Sequence, residues 1–428
     1  MANSVEETIL QQLEGDRILD PHSHINPHDP ASTTLADILG YHYYTELVNA
    51  VHKLAKEIEA ARSNPKQLFD LLIPRLPSIR NTVQYSWLVE LCQTFYTMQG
   101  EDITVQNAER LWEVSSLRMK SPTWVDHVKE TTKLDAIFLT NDFDDPLAGF
   151  DTSFYVPCLR TDELVFHFGN PAVRARLGAS TGIEVKDAAS LRDALEARFK
   201  HFVAHGARAC AISLPSTFAP EPTIDTRLDR PLQDLLLEKT GPHVQPTVSN
   251  AIFWMLAELC DKYQLPFDLM IGVTRNVYPG GVHQGRDLYD ARVSLHQYEK
   301  LFNAFPNVTF PISVLPSGTV NQELVSYAWI FPNVVANGHW WYSNIPAYIE
   351  ADGAARLQAI PEDKVIWYYS DAYKLEFVQP KFAMARRILA RILANHFVGD
   401  RRWSEAKAIE LGRKVLRGNS ERIFKFTT

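Results

Sequence analysis

The stretch Arg17-Ile18-Leu19-Asp20-Pro21-His22-Ser23-His24 decides how the rest of the chain is read. Its apolar start reads as a short buried strand that runs into two histidines. In an extended chain residues i and i+2 point to the same side. His22 and His24 therefore face one way, at the C-terminal mouth of a sheet if the strand ends there. Two imidazoles so placed are a ready pair of nitrogen ligands for zinc or a similar metal. H-x-H also arises by chance, so a pair of core or surface histidines is the alternative.

Working outward, β-rich apolar runs recur at 136–140, 154–159, 207–214, 266–273, 308–314, 333–338 and 364–370. Most are continuous rather than alternating, as strands buried on both faces are. Amphipathic helical stretches lie between them, for example Leu191, Leu195, Phe199 and Phe202 at spacings of three and four. The stretch from Val248 to Tyr263 is similar, with Pro246 as a starter. Strands alternating with helices imply parallel βαβ units. Eight of them predict an α/β fold closed as a (β/α)8 TIM-type barrel; an open doubly wound sheet is the alternative that the pattern alone leaves. The first two strands are too far apart for one connecting helix. The spacing predicts a helical insertion over 35–132 packed on a barrel formed by 1–34 and 133–428.

The 428 residues carry a formal net charge of −8 and are 46% hydrophobic, an ordinary globular composition with length for a large core. The acidic balance argues against nucleic acid or an anionic membrane surface as partner. Cys92, Cys158, Cys210 and Cys260 are irregularly spaced with no C-x-x-C pair, which fits a reducing compartment. The acidic, polar start MANSVEETILQQLEGD has no signal-peptide pattern, and no run of 18 apolar residues occurs. A soluble cytoplasmic protein is expected, and a homo-oligomer stays open.

Asp371 directly follows the eighth predicted strand. In a closed barrel strands 1 and 8 are neighbours, so Asp371 would meet His22 and His24. Two His and one Asp leave coordination positions open for water or substrate, the catalytic rather than the structural pattern. Taken alone, Asp371 could equally be a helix N-cap or loop carboxylate. Strands 4, 5 and 6 end Ser213-Leu214, Val273-Thr274-Arg275 and Val314-Leu315-Pro316 and offer no good ligand. One divalent metal, zinc by ligand type, is therefore expected.

Arg160 ends strand 3 and Arg275 ends strand 5; a charged residue there is a natural carboxylate fork. An ion pair of Arg160 with Asp162 or Asp142 is the structural alternative. Trp340 and Trp341 close strand 7, to wall a pocket or simply to pack.

The sequence resembles the amidohydrolase superfamily, and within it the uronate isomerases. The resemblance rests on DPHSHI at 20–25, YHYYTELV at 41–48, LTNDFDDP at 139–146, CLRTD at 158–162, SLPSTF at 213–218, MIGVTRNVYP at 270–279, GHWWYSNIP at 338–346 and YSDAYKLE at 369–376, from end to end of the chain. It implies a metal-dependent aldose–ketose isomerase acting on a hexuronate of the glucuronate or galacturonate type, or a related sugar acid. It implies metal ligation by His22, His24 and Asp371, and proton transfer at His42 and Tyr43 with Asp371. Tyr43 could serve there if its pKa is lowered; an aromatic core patch of Tyr41 to Tyr44 is the alternative. Arg160 matches the family's substrate-binding Arg, and Arg275, Trp340, Trp341 and Tyr373 are further candidate contacts. His339 stands where the family has a small residue, either an extra contact or a histidine satisfied in the core. Two departures stand out. The family's Asp-x-Arg after strand 8 is Asp371-Ala372-Tyr373 here, and the loop Leu315-Pro316-Ser317-Gly318-Thr319 lacks the family's Arg. A buried carboxylate without cationic partners costs several kcal/mol. A changed substrate is one consequence, and a hydrolase or decarboxylase of the superfamily, acting on another small acid, lactone or ester, is the second reading.

Overall fold

A computed structural model describes residues 4–223, 227–239 and 241–427. Eight parallel staves run in order: β1 Ile18–Asp20, β2 Leu134–Phe138, β3 in two halves, Tyr155–Val156 and Cys158–Arg160, β4 Ala209–Pro215, β5 Phe267–Thr274, β6 Phe310–Val314, β7 Val334–Asn337 and β8 Val365–Ile366. Each pairs in parallel with the next from β1 to the first half of β3, and from its second half to β8. Pro157 interrupts β3, since proline has no N–H to give the ladder. The parallel bridge Asn141↔Leu159 carries the sheet across that break.

The ring closes between β8 and β1 through the chain just beyond both strands. His24 N donates to Ala372 O at 2.8 Å, and Asp371 N donates to His22 O at 3.2 Å. The eighth stave is shorter than the predicted run 364–370, because Trp367 N bonds to Val415 O and not to a neighbouring strand.

The side-chain alternation is that of a barrel. Leu19, Ala136, Phe138, Val156, Cys158, Ala209, Ala211, Val335 and Ile366 form one buried cluster with Ile423, Phe424 and Phe426. Their strand neighbours, such as Ile137, Leu159, Cys210 and Ile212, belong to the larger cluster shared with the helices. The C-terminal segment thus fills the interior, Phe424 meeting Phe138 at 5.1 Å between ring centroids. It enters where strands begin, since Lys425 Nζ donates to Gln264 O ahead of β5.

Between β1 and β2 the chain is helical, from Leu35–Leu39 through His42–His52 to Trp124–Thr132. These helices share the larger core cluster with the barrel. The sequence-predicted helices appear as Ala188–Ala204 and Val244–Tyr263. After β5 a long loop forms a short antiparallel ribbon, Leu288–Tyr289 against the end of β5. The four cysteines are free and buried. Among the described residues no helix is long and apolar enough to cross a membrane.

Candidate metal centre

The closure of the ring brings the mouth donors together. His22 Nε2 lies 3.6 Å and His24 Nε2 3.4 Å from Asp371 Oδ1. One donor atom from each of the three lies within 4.8 Å of the others. His22 Nε2 and Asp371 Oδ1 are buried without a hydrogen-bond partner. Buried polar atoms are normally paired, and a cation bound by all three would satisfy both. The donor set therefore fits a divalent metal.

The surroundings aim these donors. Thr140 Oγ1 donates to Ser23 O at 3.1 Å and stands 2.7 Å from His24 Nδ1. A hydroxyl that donates to the carbonyl accepts from Nδ1–H, which leaves the His24 Nε2 lone pair facing Asp371. Asp20 accepts from Ser370 N at 2.9 Å and from Ser370 Oγ, fixing the segment that leads into Asp371. Beneath it the buried Lys381 donates to Ser370 O at 2.8 Å, among the rings of Tyr41, Tyr43 and Trp87. Asp371 itself is left-handed, φ 52°, and Trp341 is at φ 45°. Such strained non-glycine residues persist only where the surroundings over-determine them.

Charge follows from these contacts. Burial opposes ionisation of Asp371, but the imidazoles of His22 and His24, within 3.6 Å of its Oδ1, outweigh it and hold the carboxyl well below its usual range. Burial opposes a charge on His22, yet Asp371 raises its pKa; for His24 burial prevails and lowers it. Burial pushes Asp20 up to about 6 against the Ser370 hydrogen bonds.

A cavity of about 200 Å³ opens over Asp371 and His24. It is lined by His42, Tyr43, Arg160, Arg275, Trp340, Trp341 and Tyr373, so most of the sequence-predicted residues converge there. Tyr43 donates to Asp371 Oδ2 at 3.3 Å. The condition set on Tyr43, a lowered pKa, is not met: burial, with Tyr41 and Asp371 close by, raises it well above the ordinary value. Tyr373, at the position of the family's Arg, stacks on His24 with centroids 4.8 Å apart. Arg160 donates through Nε to Asp162 at 3.2 Å, and Arg275 donates to Asp287 at 2.7 Å. Both arginines line the cavity and hold a carboxylate partner at once.

His339 is corrected. It does not line the cavity; it is 1% exposed, lies 3.8 Å from Asp352, and is sealed behind β7 beside Arg356. Sequence reasoning missed Thr140, Glu46, Ser213, Met270, Gln284 and Asp287. The last two come from the loop after β5, where no periodicity signals a site. The cavity shares Arg160, Ser213 and Arg275 with an outer hollow of about 580 Å³. A larger groove of about 820 Å³ between helices Pro171–Thr181 and Asp229–Leu236 holds no group of three metal donors among the described residues, so chemistry outweighs size in placing the site.

Comparison with known proteins agrees with this architecture. The uronate isomerase of Thermotoga maritima superposes with a TM-score of 0.90 at 17% identity, covering 99% of this chain and 98% of that one. The glucuronate isomerase of Caulobacter crescentus gives 0.89 at 16%, covering 99% and 94%. A uronate isomerase of Bacillus halodurans gives 0.79 at 21%, covering 100% and 98%. These likenesses show the fold, a barrel whose His22, His24 and Asp371 form a donor group that could hold a metal ion. Over 285 residues the chain is 26% identical to the uronate isomerase of Streptococcus pneumoniae (strain 70585). That match spans 61% of this chain and 59% of the relative. No protein-family model matches the chain.

Proposed function

We propose that this chain is a metal-dependent aldose–ketose isomerase acting on a hexuronate or a closely related sugar acid. The observation that carries the reading is one small cavity lined by two of the three metal donors, His24 and Asp371, with a phenol, an imidazole and two guanidinium groups, the third donor, His22, lying buried beside them. Isomerisation removes a proton from C2 of the open-chain aldose and places one on C1, while a hydroxyl proton moves between the adjacent oxygens. It consumes no co-reactant. A divalent cation on His22, His24 and Asp371, zinc by the donor set, would supply Lewis-acid stabilisation of those oxygens. Tyr43, buried against Asp371, offers a phenol proton at the same place, and His42 offers a proton acceptor beside it. Arg160 and Arg275 at the rim suit the substrate carboxylate, with Trp340, Trp341 and Tyr373 as walls. The names of the structural and sequence relatives support the same substrate class. Four unpaired, buried cysteines support a reducing, cytoplasmic setting.

The test is turnover. Purified chain loaded with zinc or manganese should interconvert glucuronate or galacturonate with the keto acid, followed by NMR. No conversion across a panel of uronates would sink the reading. Activity on an ester, lactone or aromatic acid instead would make the protein a hydrolase or decarboxylase.

A further inference from the structure

His42 and Glu46 stand one turn apart on helix His42–His52, and His42 Nδ1 lies 2.6 Å from Glu46 Oε1. The side chains are 7% and 19% exposed. An ionised carboxylate can only accept, so the proton of this bond sits on Nδ1. The other nitrogen, Nε2, is then the one left to exchange a proton in the cavity that His42 lines. The ring is clamped edge-on by Tyr43 at 4.4 Å and Trp341 at 5.7 Å between centroids. The loop after β5 roofs the pair. A Cβ on Gly285 would lie 2.5 Å from Glu46 Cγ and 3.1 Å from its Oε1, so only a glycine backbone lies this close. His283 N donates to Glu59 Oε1 at 2.8 Å and ties the loop down beside it.

We propose that Glu46 is the positioning residue for proton transfer in this cavity. It holds His42 as the Nδ1–H form, with Nε2 left free for the substrate beside Tyr43. Nε2 takes one proton from the substrate and returns it at the neighbouring position within the same turnover, so the balance closes without another reactant. The kinetic consequence rests on the isomerase reading; the protonation pattern of His42 does not.

The experiment uses metal-loaded full chain labelled with 15N-histidine, with the His42 signals assigned by difference from His42→Gln. The wild type should show the Nδ1–H pattern. Glu46→Leu should lose it and should lower kcat about 100-fold, with KM within a few fold. Glu46→Gln, which keeps an acceptor without the charge, should retain the pattern and recover part of kcat. A role in folding alone would lower the melting temperature and leave the tautomer and kcat in place. A wild-type Nε2–H pattern, or a Glu46→Leu variant that keeps Nδ1–H, overturns the proposal. If the wild type turns over no uronate, the isomerase reading fails, and the spectra still decide the role of Glu46.

Discussion

The Tyr43 phenol donates to Asp371 Oδ2 at 3.3 Å, so the acid/base candidate and a metal donor are joined directly. Tyr43→Phe deletes that hydrogen without removing the ring. It should lower kcat about 100-fold and leave bound metal unchanged. Steady-state kinetics with metal analysis checks this, and an unchanged kcat would remove Tyr43 from the chemistry.

His22 Nε2 and Asp371 Oδ1 are buried and unpartnered, so a bound cation should stabilise the fold by mass action. Chelation of the wild type should lower its melting temperature by several degrees. Asp371→Asn should hold little metal and show no chelator effect. A variant that still binds stoichiometric metal would displace Asp371 from the donor set.

Arg160 and Arg275 are cationic side chains lining the cavity. Arg160, 35% exposed against 50% for Arg275, is the better shielded from water. Arg160→Ala should raise KM for an acid substrate about 10- to 100-fold, Arg275→Ala less, with kcat little changed in both. The same KM for the acid and for its uncharged sugar analogue would argue against a carboxylate at this rim.

His339 is sealed in the neutral form, burial and the neighbouring Arg356 pushing its pKa down to about 4. In the unfolded chain it titrates near its ordinary value of about 6.5. Between these values the unfolded state binds more protons, so stability falls as pH drops through that window and is unaffected above it. The loss approaches about 3 kcal/mol near pH 4. Urea unfolding of metal-free protein at about pH 7 and pH 4.5 should show a smaller difference in His339→Asn than in the wild type. Equal differences would mean that His339 is not held neutral.

Gly338, at φ 36°, has no room for a side chain: a Cβ would lie 2.4 Å from Tyr369 ring carbons. Tyr369 in turn packs on His22 with centroids 5.0 Å apart. Gly338→Ala should cost about 3 kcal/mol and weaken metal binding through the displaced ring. A thermal scan and a metal titration read the two effects; a neutral substitution would mean the strand end relaxes freely.

The barrel was legible because parallel strands buried on both faces leave continuous apolar runs, and eight such runs with intervening helices allow few topologies. The meeting of His22, His24 and Asp371 was legible for the same reason, since closure makes strands 1 and 8 neighbours. What stayed hidden depends on packing that no local period encodes. His339 has the same motif neighbours as Trp340 and Trp341, yet the chain turns it behind the sheet. Glu46 lies one helical turn from His42, a spacing shared by many solvent-facing ion pairs. Gln284 and Asp287 reach the cavity only because an irregular loop docks on the insertion through Glu46 and Glu59.

The seam between β8 and β1 is made by the same segments that carry the donors, His22 to His24 and Asp371 to Ala372. During synthesis the first two donors leave the ribosome long before the third. A nascent or truncated chain lacking the segment around Asp371 therefore holds two of the three donors and neither seam hydrogen bond, so the chain must reach that segment before it can shut its ring or complete the donor set.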